Sequence, residues 1–323
     1  MTTVAPSSPT TERAIAFVAS RRDRAEALGQ DLAEHLDDPA AFATALRTAF
    51  VELADPDYAD GQRRVAPGIG PVLGVRGPLL GAVQRGFRKA TRRERTSTWL
   101  FVADRLLRMP EMELRWFAFG LLERTIGDEP ERTWQLVRRA AREAGDWITI
   151  DSLARVAGLG ILNEPYRWAE LEQLVYSPSR WERRLVGSTV ASIPFIDRRA
   201  GREPIVTRNG LDLVGQLVGD AEPDVQKALS WALRSLIRVD AAAVTTFSRG
   251  EAERAAATGD GHRAWVVRDT LPKLDPAAAE PIRSRIASIR RRPGAPSTSS
   301  AAEAAERFGG GMLGRPQPEP PLA

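Results

Sequence analysis

The chain has 323 residues, with 46 Lys and Arg against 42 Asp and Glu, a formal net charge of +4, and 43% hydrophobic residues. That is ordinary for a globular protein and enough for a substantial core in one large or two modest domains. Cysteine is absent and histidine occurs only at His35 and His262, which excludes disulfides and cysteine-ligated zinc and argues against a His-based metal site or triad. No apolar run approaches the ~20 residues that span a bilayer. The N-terminus has no basic segment leading into an apolar one, so the expected location is cytoplasmic, associated with the nucleoid if the ligand is DNA, with no membrane partner. Lysine occurs only at Lys89, Lys227 and Lys273, which leaves 43 of the 46 basic side chains as arginine. Genome base composition explains such a bias; so does selection for bidentate phosphate contacts.

In chain order, residues 1–12 are Pro/Ser/Thr-rich and read as a disordered tail, and 13–37 as an N-terminal helical extension. Residues 38–290 have helical period almost throughout. Asp38-Pro39 supplies an N-cap and an N1 proline, and Phe42, Leu46, Phe50 and Leu53 then fall on one stripe. The loop Gly68-Ile-Gly70-Pro-Val-Leu-Gly74 has one residue too many for G-x-G-x-x-G and follows no strand, so it reads as a connector between helices. Paired helices are expected at about 93–108 with 111–126, 130–144 with 147–160, 165–176 with 179–193, and 204–218 with 222–238, with a final pair within 240–290. Pro110, Pro130, Pro165, Pro178, Pro204, Pro223 and Pro281 stand near the expected helix starts. From 291 to 323 the composition, Arg-Pro-Gly-Ala-Pro-Ser-Thr-Ser-Ser and later Gln-Pro-Glu-Pro-Pro, reads as a disordered tail. With no period-2 strand, the reading is an all-α, HEAT-like helical-repeat solenoid with a concave basic groove.

Between 76 and 108, nine basic residues, among them Arg76 and Arg85, oppose only Glu94 and Asp104. The stretch is either a solvated helix face or a stripe that tracks phosphates. A second basic cluster, with Arg183 and Arg184, lies in 180–208. Of the eight tryptophans, Trp99, Trp116 and Trp134 sit in apolar stripes and read as core. Trp147 starts a helix with Asp151 one turn on, and Trp231 precedes Arg234 by three residues. A tryptophan beside an aspartate is consistent with an indole N–H bonded to a carboxylate. It is also consistent with an aromatic face and an anion set to hold a cation.

Three motifs in order, Trp147 with Asp151, Trp181 with Arg184, and Gln226-Lys-Ala-Leu-Ser-Trp231-Ala-Leu-Arg234, resemble those of the AlkD-like HEAT-repeat DNA alkylation repair glycosylases. Leu73-Gly74-Val75 with Pro78, and Pro110-Glu111-Met112-Glu113, add to the likeness, which runs from about Phe42 to about residue 270. The resemblance implies that Asp151, Trp147 and Trp231 surround the damaged nucleotide as the catalytic group and that Arg184 holds a nearby phosphate. Arg183, Arg234, Lys227, Arg76 and Arg85 are the further DNA-binding candidates. Relatives often carry an aromatic residue a few positions before the Leu-Gly motif. Val65 falls near that register here, which implies a changed or more open lesion pocket.

The implied activity is monofunctional hydrolysis of the N-glycosidic bond of cationic N3- or N7-alkylated purines in double-stranded DNA. It would proceed without base flipping, with bulky adducts included, in a monomer that needs no cofactor or metal. A non-catalytic DNA-binding repeat protein and a protein-interaction scaffold are the alternatives.

Overall fold

The computed structural model describes residues 8–65 and 68–307. The sequence expectations for residues 1–7 and 308–323 lie outside the described residues. Contacts divide the chain into two compact units, 1–133 and 134–323. Among the described residues every regular element is helical, and no helix is long and apolar enough to cross a membrane.

Unit 1 contains α1 (Pro9–Asp31), α2 (Pro39–Glu52), α3 (Pro56–Val65), α4 (Gly77–Ala90), α5 (Thr96–Leu107) and α6 (Met112–Asp128). The helix starts follow from capping: Asp38 accepts the N–H groups of Ala40 and Ala41 at 2.9 and 3.0 Å, and Ser8 accepts that of Thr11 at 3.3 Å. The first helix therefore begins inside the segment expected to be a tail. It packs along α4, and two glycines make that possible. A Cβ on Gly29 would collide with the Val83 carbonyl, and one on Gly86 with the Glu26 carbonyl, so the helix backbones meet directly. Phe42, Phe50, Phe87, Phe117 and Trp99 fill the core, with ring centroids 5.4–6.4 Å apart. Trp116 is only half-buried.

The glycine-rich loop is held by one carboxylate. Glu113, fully buried on α6, accepts the N–H groups of Leu73, Gly74 and Val75 at 3.0, 2.7 and 3.2 Å. Gly68, Gly70 and Gly74 have φ of 88°, 82° and 92°, the left-handed region that glycine enters freely. The N–H groups of Leu73, Gly74 and Val75 are thus committed to Glu113 rather than to a phosphate. The two short motifs around Leu73 and Glu113 are the two sides of one contact.

Unit 2 takes in most of α7 (Pro130–Glu143), then α8 (Trp147–Asn163), α9 (Arg167–Gln173), α10 (Arg180–Ile196), α11 (Pro204–Leu217), α12 (Pro223–Leu236), α13 (Ala241–Thr258), α14 (Gly261–Thr270), α15 (Pro276–Arg285) and α16 (Ser300–Arg307). Helix α8 packs on α10, α10 on α12, and α12 on α14, so the second helix of each pair joins one layer. Gly187 of α10 lets α12 approach: a Cβ there would stand 2.9 Å from the Ala228 Cβ. Pro281 lies inside α15 rather than at a helix start, because Pro276 takes that place.

Residues 291–307, within the segment expected to be a tail, are tied to the rest of the unit. Thr298 donates its N–H to the Gly219 carbonyl at 2.9 Å, Arg291 donates to Gln226 Oε1 at 2.8 Å, and Thr298 Oγ1 donates to Asp260 at 2.5 Å. Ala301, Ala302 and Ala305 are then buried on α16, which packs on α11. Composition misled because polar tethers and alanines, not large apolar side chains, hold this segment.

Candidate functional site

The candidate site lies on the α8–α10–α12 layer of unit 2. Asp146 caps α8 by accepting the Thr149 N–H at 2.8 Å, which sets Trp147 as the first helical residue and Asp151 one turn later on the same face. Arg184, on α10, grips that carboxylate with both edges of its fork: Nε to Oδ1 at 3.2 Å and Nη2 to Oδ2 at 2.8 Å. Ser188, one turn further along α10, donates to Oδ1 at 2.6 Å. The remaining Arg184 nitrogen donates to the Asp224 carbonyl at the start of α12, at 2.7 Å. One guanidinium thus ties three helices to one carboxylate, the strong bidentate geometry of an arginine–carboxylate pair.

The Arg184 guanidinium also lies 5.9 Å from the Trp147 ring centroid, within cation–π range. Its side chain is 6% exposed, whereas that of Asp151 is 20% exposed. The carboxylate is fixed from below and open on one side. Trp147 and Trp231 are each half-buried, and Trp231 stands on α12, two helices along the layer from Asp151.

The structure brings together Asp151, Arg184 and Trp147, and it adds Ser188, which sequence reasoning missed. The signal was available: Ser188 follows Arg184 by four residues, the same spacing as Trp147 to Asp151. The structure also changes what the arginines do. Arg184, expected on a phosphate, has all three nitrogens engaged inside the protein. Arg183 is an internal tie, buried at 3% exposure. It donates to Asp220 at 2.7 and 3.4 Å and to the Ser177 and Pro178 carbonyls at 2.8 and 3.1 Å, so it is not presented to DNA. Arg184, the next residue in Trp-Glu-Arg-Arg, is turned by about 100° around α10 and meets Asp151 instead. Arg234 pairs with Asp269 of α14. Lys227 is exposed on α12. The face of Trp181, which sits in the same motif, is covered by Arg180 at 4.8 Å.

Arg76 and Arg85 belong to unit 1. Arg76 pairs with Asp55 at 2.7 Å and lies 4.9 Å from the Tyr58 ring; Arg85 is half-buried on α4. Burial opposes the charge on Asp55. The Arg76 hydrogen bond and the Tyr58 and Asp57 N–H groups outweigh it and hold the carboxyl below its usual range. Val65 is 68% exposed. Two turns earlier on the same helix, Tyr58 lines a cleft of about 610 Å³ together with Phe17, Gln62 and Val65. An aromatic side chain is therefore present on α3, in a different register from the one expected.

At the end of α4 and in the turn after it, Arg88, Lys89, Arg92, Arg93 and Arg95 are all exposed, a concentrated positive surface.

Residues 46–259 match the family model described as DNA alkylation repair enzyme. No curated protein matches the chain.

Proposed function

The chain belongs to the DNA alkylation repair enzyme family, and on that premise we propose that it is a DNA glycosylase acting on cationic N3- or N7-alkylated purines in duplex DNA. The observation that carries this reading is the Asp151 carboxylate, anchored by Arg184 and Ser188 yet one-fifth exposed beside Trp147. An alkylated purine cation leaves as a neutral base, so departure needs no proton from the protein. Positive charge develops on the deoxyribose instead. A fixed carboxylate stabilises that oxocarbenium-like cation and orients a water molecule for attack on the anomeric carbon. The indole faces of Trp147 and Trp231 attract the same cation, by about 0.5–2 kcal/mol each once water is excluded.

In this reading Arg184 serves the carboxylate first. It sets the position of Asp151 before DNA arrives, and preorganisation of that kind lowers a barrier without reorganisation during the reaction. Phosphates are then held by exposed cations of the same unit, such as Lys227. A carboxylate that faces the sugar rather than the base suits a lesion that stays stacked, and bulky adducts with it.

The test is base release from duplexes carrying methyl and bulky adducts at N3 and N7 of purines. Wild-type protein releases the base, and Asp151→Asn does so ~10²–10³-fold more slowly. Equal release by both removes Asp151 from the reaction. Salt-dependent DNA binding with no release by either supports a non-catalytic DNA-binding protein instead.

A further inference from the structure

The α8–α14 layer carries its tryptophan–aspartate–arginine arrangement twice. Trp265 and Asp269 on α14 repeat the four-residue spacing of Trp147 and Asp151 on α8. In each case the aspartate takes a guanidinium from the neighbouring helix of the layer: Arg184 of α10 for Asp151, and Arg234 of α12 for Asp269. A serine one helical turn from each arginine completes the set. Ser188 follows Arg184 and donates to Asp151, and Ser230 precedes Arg234 and accepts from its Nη1 at 3.2 Å.

The two sets differ in how much of the fork they use. Arg184 commits Nε, Nη1 and Nη2. Among the described residues, the hydrogen bonds of Arg234 all run through Nη1, to the Asp269 carboxylate, the Asp269 carbonyl and Ser230. Its side chain is 28% exposed, and that of Asp269 is 42% exposed. One edge of the Arg234 fork, Nε with Nη2, is left to donate outward. Lys227, Trp231 and Arg234 follow each other at helical spacing on α12, so an indole is flanked by two cations on one face. On the far side, Arg291 lies over the Trp265 ring at 4.8 Å and donates to Gln226.

We propose that Asp269 is the positioning residue of a backbone-phosphate contact, holding Arg234 by one nitrogen so that its free N–H edge meets a phosphodiester of the DNA. The proposal rests on the DNA-binding reading above. An arginine fork matches phosphate in a bidentate manner. A side chain already held in place gives up little conformational freedom when the phosphate arrives. The first arrangement thus fixes a carboxylate with an arginine, and the second fixes an arginine with a carboxylate.

The experiment measures binding of the full chain to undamaged duplex DNA over a range of salt concentrations. Arg234→Gln sets the size of the contact: affinity falls about five- to tenfold and the slope of log K against log salt becomes shallower by about 0.9. Asp269→Ala is expected to reproduce both changes, and the double variant to be no weaker than Arg234→Gln alone. Asp269→Asn keeps an oxygen acceptor for Nη1 and is expected to restore most of the affinity. Asp269→Ser replaces the alanine variant if thermal melting shows that alanine does not fold. Binding by Asp269→Ala that equals or exceeds wild type, while Arg234→Gln still weakens it, overturns the proposal and makes Asp269 a mask on Arg234. Absence of DNA binding by the wild-type protein overturns the DNA reading itself.

Discussion

Two carboxylates, one in each unit, accept three hydrogen bonds apiece and do different things with them. Glu113 of α6 is fully buried and takes three backbone N–H groups from consecutive residues. Asp151 of α8 is partly open and takes its bonds from two side chains, Arg184 and Ser188. Backbone donors are uncharged and immobile, so Glu113 locks the 73–75 loop and has no face left for a ligand. Side-chain donors come from one direction, so Asp151 is fixed yet keeps an edge toward solvent. The kind of donor, more than the number of bonds, separates a carboxylate that builds the fold from one that can act on a substrate.

Exchanging each acid for its amide breaks the comparison most directly. Asp151→Asn is expected to lower base release by ~10²–10³-fold, the usual size for removing one group that faces developing charge. Its melting temperature should fall as well, because the amide offers only one oxygen to the buried, charged Arg184 fork, so release is compared per folded molecule. Glu113→Gln should cost stability alone. Its NH₂ group faces an amide N–H, leaving buried donors unpaired at a cost of about 2–3 kcal/mol in unfolding free energy, while turnover per folded molecule is unchanged. A smaller effect is expected from Ser188→Ala. Arg184 still holds Asp151, so release should fall by roughly tenfold, the low end of the worth of one hydrogen bond to a charged group. A loss as large as that of Asp151→Asn would show that Ser188 touches the substrate.

The comparison also explains what could be read from the sequence. Helix starts are legible where capping is local: Asp38 before Pro39 needs only its own neighbours. The layer of paired helices followed from period and proline placement, and Trp147 with Asp151 from a spacing of four. The partners were not legible. Nothing in Trp-Glu-Arg-Arg distinguishes Arg183, turned inward to Asp220, from Arg184, turned to Asp151; a rotation of 100° about α10 decides it. The pairing of Asp269 is not visible in the sequence, because its arginine lies 35 residues earlier, on α12. The strap from 291 to 307 was hidden for a related reason. Its tethers, Gly219, Gln226 and Asp260, are distant in sequence, and its buried side chains are alanines.

Asp55 mixes both kinds of donor and gives the smallest and most specific test. Its carboxylate accepts from Arg76 at 2.7 Å and from the N–H groups of Asp57 and Tyr58 at 3.1 and 3.3 Å. These bonds outweigh the burial that opposes its charge, and they hold it below its usual range. A carboxyl depressed in the folded state adds stability above its unfolded value, near ~3.9, and that stability is lost as pH falls through the folded value. Asp55→Asn should therefore cost about 1–2 kcal/mol at neutral pH. In urea titrations the gap from wild type should hold down to about pH 4, then narrow and close at lower pH. A gap that is the same at neutral and acid pH would mean that the amide fails for shape, not charge. Asp55 would then belong with Glu113 as a backbone lock, and its bond to Arg76 would contribute little.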